Sequence, residues 1–352
     1  MRALIVTAGL LAFAGVAAAA VPQATTIEHT PAPVEALAQN GGLLAWLAGD
    51  GTRCNTVHLT DGVNTYVLPR PTTGTMTCHW DLSRGAEQLA IAANASAALW
   101  TLHERGSDFV MTAEVGGRET KVDRLLHRNG TGWWLGGTTG GGTTLAYSSV
   151  DVEYIDPLGC ASGGSCKKKV AGGEINLVTA GEKTPLPDSR PALGLALEND
   201  RIAYIEATAV SGGRPLSTAS TVVRVADVSN GSVISQANPV GVPLAVGLAP
   251  HVLAVLSRGL RNMRLTWYDP ATGQRLGGIA VSALTAPELA VDDQVIVYRF
   301  GRALRALVLA TRHVRALGKT APAYLGLSLD QGRLVWAENR LLSGRIRALS
   351  MP

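Results

Sequence analysis

The chain of 352 residues lacks most of the features that reveal an enzyme or a metalloprotein. Its four cysteines follow no spacing typical of a zinc site, and no aspartate-rich calcium loop is present. The seven histidines are scattered, and no carboxylate accompanies them at a fixed offset. No nucleophile with a base and no paired carboxylates can be identified from spacing. The sequence therefore predicts no catalytic residue, no metal and no cofactor.

Strong charge and long apolar runs are also missing. The formal net charge of +4 is too small for a chain of this length to indicate a specific nucleic-acid partner. Beyond the first residues, no apolar stretch is long enough to span a bilayer, since a transmembrane helix needs about 20 residues. These two absences favour a protein that is neither a nucleic-acid binder nor an integral membrane protein.

The first 20 residues predict a cleavable signal peptide. Arg2 provides a minimal positive region, residues 3–16 are apolar, and the alanines at 18–20 form a cleavage site before Val21. A membrane anchor is the alternative, but the apolar run is shorter than an anchor needs. We therefore expect residues 1–20 to be removed and residues 21–352 to form a single secreted, extracytoplasmic domain.

What the chain does contain is a motif that returns seven times: a turn, a small or branched apolar pair, and an aromatic residue or valine. The copies lie 39 to 57 residues apart. Repeats near this period that are rich in short strands are typical of β-propellers. We expect the aromatic members to pack between blades. The third residues of the copies are Trp46, Trp100, Tyr147, Tyr204, Val255, Val297 and Trp336.

Each motif follows an apolar segment and a turn, and a second hairpin comes after it, which gives four strands per repeat. The seventh repeat ends after its third strand, and the β-branched segment at residues 25–30 is available to supply the fourth. The sequence thus predicts an all-β, seven-bladed β-propeller whose last blade is closed by an N-terminal strand. Six blades with a degenerate pair, or eight with a hidden one, are the alternatives.

Two segments resemble known propellers. The sequence LALENDRIAY at residues 195–204 and the turn DPATGQ at residues 269–274 are similar to secreted bacterial propellers of the TolB-like and WD40-like superfamily. The turn is also similar to repeats of quinoprotein and YVTN propellers, but it occurs once and so implies no cofactor. The resemblance implies a scaffold used mostly for binding.

Strand direction sorts the charged residues between two faces. Strands alternate in direction within a blade, so loops after second strands and connections between blades emerge on one face. Turn chemistry explains the aspartates of the opposite face, but it does not demand arginine or lysine. Solvated side chains without a partner are the alternative to a binding role. The candidate binding residues are Arg258, Arg261, Arg299, Arg302, Arg340, Lys167, Lys168 and Lys169.

The same sorting predicts two disulfides. An even number of cysteines in an exported protein favours pairing. Cys54 and Cys78 belong to neighbouring connections on one face, and Cys160 and Cys166 close a short loop within a Gly- and Ser-rich insertion. We expect these two pairs to form.

The function we expect is that of a non-enzymatic binding or scaffold propeller. Its basic loop face would bind an envelope protein or an anionic cell-wall polymer through forked guanidinium donors. The alternative is a secreted polysaccharide hydrolase or lyase with carboxylates near the central channel. The sequence indicates no oligomeric state.

Overall fold

Thirty-one strands and one 3-10 helix make up the described part of the chain in the computed structural model. The structure describes residues 23–49, 54–68, 80–81, 90–104, 106–128, 131–155, 167–211, 214–259, 261–281, 288–321 and 323–351. The expected signal peptide at residues 1–20 lies outside these ranges, as do Cys78, Cys160 and Cys166.

Most of the strands have between two and nine residues. The 3-10 helix covers Thr218–Ser220. In chain order the strands are β1 (Thr25–Thr30), β2 (Val34–Asn40), β3 (Leu43–Gly49), β4 (Cys54–Thr60), β5 (Thr65–Val67), β6 (Trp80–Asp81), β7 (Ile91–Ala93), β8 (Ala97–Glu104), β9 (Ser107–Glu114), β10 (Thr120–Arg128), β11 (Thr131–Gly141), β12 (Thr144–Tyr154), β13 (Lys167–Thr179), β14 (Glu182–Pro185), β15 (Ala192–Glu198), β16 (Arg201–Ala207), β17 (Ala209–Ser211), β18 (Arg214–Pro215), β19 (Thr221–Asp227), β20 (Val233–Ala237), β21 (Val242–Ala249), β22 (Val252–Arg258), β23 (Met263–Tyr268), β24 (Arg275–Val281), β25 (Leu289–Val291), β26 (Val295–Phe300), β27 (Ala303–Val308), β28 (His313–Lys319), β29 (Ala323–Asp330), β30 (Arg333–Asn339) and β31 (Gly344–Ser350).

The all-β class is confirmed, but the prediction of seven separate blades is wrong. The described strands form six sheets, of which five are separate blades with four or five antiparallel strands each. The blades are β2-β3-β4-β5 with β6, β15-β16-β19-β20, β21-β22-β23-β24, β25-β26-β27-β28 and β1-β31-β30-β29. The sixth sheet is continuous, has ten strands and runs from β7 to β18 in place of two further blades.

The short connection between β10 and β11 explains why this sheet is continuous. Only residues 129–130 separate the two strands, and the strands are paired beside this connection, His127 with Gly132 and Arg128 with Thr131. Gly132 has φ +95°, a conformation that favours glycine. The hairpin β17-β18 extends the sheet further by pairing with the start of β13. The outer strand β10 is therefore paired directly with the next inner strand, β11.

The two ends of the described chain meet in one blade. β1 pairs antiparallel with β31, from Thr25 opposite Ala348 to Thr30 opposite Gly344. The side chain of Asn339 adds a reciprocal link, because it accepts a hydrogen bond from the Val34 N–H at 2.9 Å and donates to the Val34 carbonyl at 2.7 Å. The N-terminal strand thus covers an edge that would otherwise be open to pairing.

The innermost strands close a ring around a central channel. The first strands of the five blades, together with β7 and β11 of the ten-stranded sheet, contact their neighbours in the order β2, β7, β11, β15, β21, β25, β29 and back to β2. At one end of the channel, the turns between first and second strands form hydrogen bonds with the corresponding turns of neighbouring blades. The Gly42 N–H donates to Asp330 Oδ2 at 3.0 Å, and the His251 N–H donates to Asp293 Oδ1 at 2.8 Å. We call this end of the channel the turn collar.

The repeated motif supplies the core between sheets. The side chains of Trp46, Trp100, Tyr147 and Tyr204 are at most 1% exposed, and Trp336 is 3% exposed. Trp46 also stacks on His58, with ring centroids 5.0 Å apart. Truncating a buried tryptophan to alanine costs about 3–5 kcal/mol, so each of these residues contributes strongly to the contact between neighbouring sheets. In the described ranges, no helix is long and apolar enough to cross a membrane.

Candidate functional site

The candidate binding residues lie at the end of the propeller opposite the turn collar. Second strands such as β22, β26 and β30 begin at the collar, so their last residues and the loops that follow lie at the other end. Third strands run in the opposite direction, so β13 begins at this other end. We call this surface the basic face. It carries Arg258, Arg261, Arg299, Arg302, Arg340, Lys167, Lys168 and Lys169.

Three arginines of the basic face point freely into solvent. Arg258, Arg261 and Arg340 are exposed, and no hydrogen bond or ion pair joins their side chains to another described residue. Arg258 ends β22, Arg261 lies in the loop before β23, and Arg340 begins the loop after β30. All five donors of each guanidinium group are therefore available to an anion.

Arg299 and Arg302 are instead held by backbone carbonyl groups, Arg299 within its own loop and Arg302 by the segment after β28. The Arg299 Nε donates to the Gly301 carbonyl at 3.0 Å, and burial lowers the pKa of its guanidinium while nearby Glu288 opposes the shift. The Nε and Nη2 atoms of Arg302 donate to the Thr320 carbonyl at 3.2 and 3.1 Å. Arg302 remains exposed, but its orientation is fixed.

The three lysines differ although they are consecutive. Successive residues of a strand point to opposite faces. Lys169 pairs with Glu153 at 2.7 Å on the surface, and Lys167 is exposed. The Nζ of Lys168 lies 5.4 Å from the ring centroids of both Trp134 and Tyr154, within the range of a cation–π interaction. Lys168 is therefore held by aromatic rings.

A stack of side chains that the sequence did not reveal continues inward from Lys168. Trp134 stacks on His127, with ring centroids 4.1 Å apart and planes 16° from parallel. His127 Nε2 lies 3.5 Å from the fully buried Asp108 carboxylate. These residues come from four different strands, so sequence spacing could not bring them together. Trp133, the residue before Trp134 in β11, points to the opposite side of the sheet and is the more exposed of the two.

The central channel contains a cavity of about 730 Å³ that opens at the turn collar. Glu198, Asp292, Asp293 and Asp330 line it. Burial raises the pKa of the Glu198 carboxyl, and the negative charges of Asp293 and Asp330 raise it further. The channel therefore has a negative potential at the mouth opposite the basic face.

The carboxylates of the channel mouth are engaged in turns. Asp292 Oδ1 accepts hydrogen bonds from the backbone N–H groups of Gln294 and Val295 at 2.8 and 2.7 Å. Asp293 and Asp330 accept from turns of the neighbouring blades, as described above. Through these hydrogen bonds the carboxylates stabilise the turn collar. Among the described residues, no group of three or more His, Cys, Asp or Glu side chains is arranged to hold a metal ion.

Comparisons with known proteins show the fold alone. No family model matches the chain, and no curated protein matches it in sequence. A chain of the mitotic checkpoint complex has a TM-score of 0.53 at 13% identity, over 100% of this chain and 99% of that one. The Dos1 propeller has a TM-score of 0.51 at 9% identity, over 94% and 96%. These similarities confirm a β-propeller.

The propeller fold agrees with the expected resemblance to TolB-like and WD40-like propellers, and the comparisons show no more than that fold. TolB from Acinetobacter baumannii is also similar, with a TM-score of 0.42 at 14% identity, over 72% of this chain and 55% of that one. A propeller fold is compatible with a binding or scaffold role. Function must be argued from the site, because one fold serves many functions.

Proposed function

We propose that the protein is an exported, non-enzymatic propeller that binds an envelope protein or an anionic cell-wall polymer through its basic face. The observation that carries this proposal is the presence of Arg258 and Arg261 at one loop and Arg340 at another loop of the same face, exposed and unengaged. Loop geometry favours glycine, asparagine and aspartate and gives no reason for arginine at these positions.

The local charges support an anionic ligand. Two acidic groups of this face are already neutralised, because Glu153 pairs with Lys169 at 2.7 Å and Glu338 pairs with Arg345 at 2.6 Å. The free arginines are therefore not matched by free carboxylates of the same loops. Guanidinium groups bind carboxylate, sulfate and phosphate through paired N–H donors, which suits a polyanion or an acidic protein surface.

The engaged carboxylates of the channel mouth support a binding role over the alternative, a secreted polysaccharide hydrolase or lyase. A glycosidase needs two carboxyl groups that act on one bond, one of them free to donate a proton. Asp292, Asp293 and Asp330 accept backbone hydrogen bonds that tie turns together. At the channel mouth, Glu198, whose pKa is raised chiefly by burial, has the character of a proton donor.

Export and the two disulfides belong to the same proposal. The signal-like residues 1–20 support an extracytoplasmic location, where disulfides persist. Cys54 lies opposite Asp81 in the β4-β6 pair, and Cys78 precedes Asp81 by three residues. This pairing supports a Cys54–Cys78 bond; the Cys160–Cys166 bond rests on sequence proximity.

The test is a charge reversal with a matched control. The variant Arg258→Glu/Arg261→Glu/Arg340→Glu should abolish binding to dextran sulfate and to an acidic envelope protein recovered by pull-down. The control, Arg118→Glu/Arg275→Glu/Arg312→Glu, carries the same change of charge on exposed arginines near the turn collar and should bind like the wild type. Unchanged binding by the basic-face variant would exclude the proposal.

A further inference from the structure

The most exposed large apolar side chains of the basic face form one hairpin tip. Leu341 is 91% exposed and Leu342 is 78% exposed. They lie between β30 and β31 in a turn closed by the Arg340 N–H, which donates to the Ser343 carbonyl at 2.7 Å. Both side chains therefore project from a short, well-defined loop at the end of the blade that joins the chain termini.

Local folding does not explain two leucines at this position. Tight turns favour Asn, Asp and Gly, and other turns of this chain follow that rule, for example Asp61-Gly62 and Asn230-Gly231. Neither leucine packs in a buried cluster of the described core. The two leucines at the tip therefore expose apolar surface to water without contributing to the stability of the fold.

Two arginines lie on the rim that carries the tip. Arg340 is the adjacent residue and is exposed. Arg302 belongs to the neighbouring blade, and its guanidinium donates to the Thr320 carbonyl. The next residue, Ala321, donates its N–H to Glu338, two positions before Arg340 in the chain. These contacts place Arg302 on the same rim as the leucine tip.

We infer that Leu341 and Leu342 insert into the surface of an anionic lipid bilayer, with Arg340 and Arg302 at the level of the headgroups. Apolar side chains flanked by basic residues are typical of interfacial membrane binding, because the leucines enter the acyl boundary while cations attract anionic lipids. A protein partner fits less well, since a stable protein interface needs about 1,000 Å² or more of complementary surface. A narrow tip with two side chains supplies far less.

This inference goes beyond the proposed function, because a lipid surface is a different ligand from a polymer or protein, although the same face is involved. Binding is measured by co-sedimentation with vesicles of phosphatidylglycerol and phosphatidylcholine, and with vesicles of phosphatidylcholine alone. The variant Leu341→Ser/Leu342→Ser removes the apolar tip. The control Val63→Ser removes a side chain that is 88% exposed in a turn near the opposite end.

We expect the leucine variant to bind anionic vesicles at least about tenfold more weakly than the wild type, because removal of each leucine side chain from water contributes strongly to the free energy of binding. The Val63→Ser control should bind normally, and vesicles without anionic lipid should bind less in every case. Wild type and variants differ only at the substituted positions, so the comparison isolates the tip. Equal binding of the leucine variant and the wild type would overturn the inference.

The experiment also separates this inference from the proposed function. The leucine variant should retain its affinity for dextran sulfate, whereas the arginine variant described above should lose it. A leucine variant that binds vesicles normally but no longer retains a protein in an envelope pull-down would show that the tip enters a protein pocket, and would contradict the lipid assignment.

Discussion

The ion pair of Glu338 offers the sharpest test of how the closing blade is stabilised. The Glu338 side chain is 5% exposed, and it accepts hydrogen bonds from Trp336 Nε1 at 3.2 Å and from Arg345 Nε at 2.8 Å. Its Oε1 also accepts from the Ala321 N–H at 3.3 Å, on the connection from the preceding blade. One buried carboxylate thus joins β30, β31 and the preceding connection.

The expected cost of Glu338→Gln follows from these contacts. The amide keeps the shape but loses the charge, and it turns an N–H₂ donor or a weaker acceptor toward Arg345. Hydrogen bonds to charged groups contribute about 1.5–3 kcal/mol each, so we expect the free energy of unfolding to fall by about 2 kcal/mol. A change of this size lowers the melting temperature by about 3 °C in a domain of roughly this size.

The pH dependence provides the second half of the test. Hydrogen bonds from Trp336, Arg345 and Ala321 hold the pKa of the Glu338 carboxyl below 4.5, although burial opposes the shift. A carboxyl whose pKa is lowered on folding stabilises the protein above its unfolded pKa, and this contribution is lost as the pH falls through the folded pKa. The difference between wild type and Glu338→Gln should therefore be full at neutral pH and shrink below pH 4.5.

Urea unfolding at neutral and acidic pH measures both effects. The control is Glu153→Gln, which removes a carboxylate that is 53% exposed from an ion pair with Lys169. Exposed pairs contribute about 0–1 kcal/mol, so this variant should unfold almost like the wild type. If Glu338→Gln is as stable as the wild type at neutral pH, or if its deficit grows in acid, the role assigned to Glu338 is wrong.

Two further predictions concern the Cys54–Cys78 disulfide and the packing of the ten-stranded sheet. Peptide mapping without reduction should recover Cys54 joined to Cys78, and free thiols at both positions would contradict the proposed pair. Gly136→Ala should lower the free energy of unfolding by more than about 1 kcal/mol, because a Cβ there would lie 2.0 Å from the Ala192 carbonyl oxygen. The control Gly172→Ala, whose Cβ would meet nothing closer than 3.9 Å, should cost less than half as much in urea unfolding, and similar costs would contradict the packing described.

The sequence predicted those parts of the fold that depend on local pattern. Alternation of apolar and polar residues and the turn residues between them identified the hairpins, and the motif identified Trp46, Trp100 and Trp336 as buried. The incomplete last repeat indicated that residues 25–30 would supply the outer strand beside β31. These features follow from periodicity along the chain, which a sequence displays directly.

The number of separate blades could not be obtained in this way. Repeat spacing alone does not show whether an outer strand ends or pairs with the next inner strand, and here two backbone pairs at His127 and Arg128 join the sheet. The contacts of the site were equally hidden. The Thr320 carbonyl that fixes Arg302 follows β28, and the rings that hold Lys168 lie on β11 and β12. Such contacts depend on the packing of distant segments.

The affinity of the basic face for an anionic polymer, measured as a function of salt, tests the central claim most directly. Binding of the wild type to dextran sulfate should weaken strongly as salt rises, because exposed charges are screened within about 8 Å at physiological ionic strength. Reversal of Arg258, Arg261 and Arg340 should remove that binding, while reversal of three arginines near the turn collar should leave it unchanged. Equal losses in the two variants, or retention in both, would contradict an anion-binding function for this face.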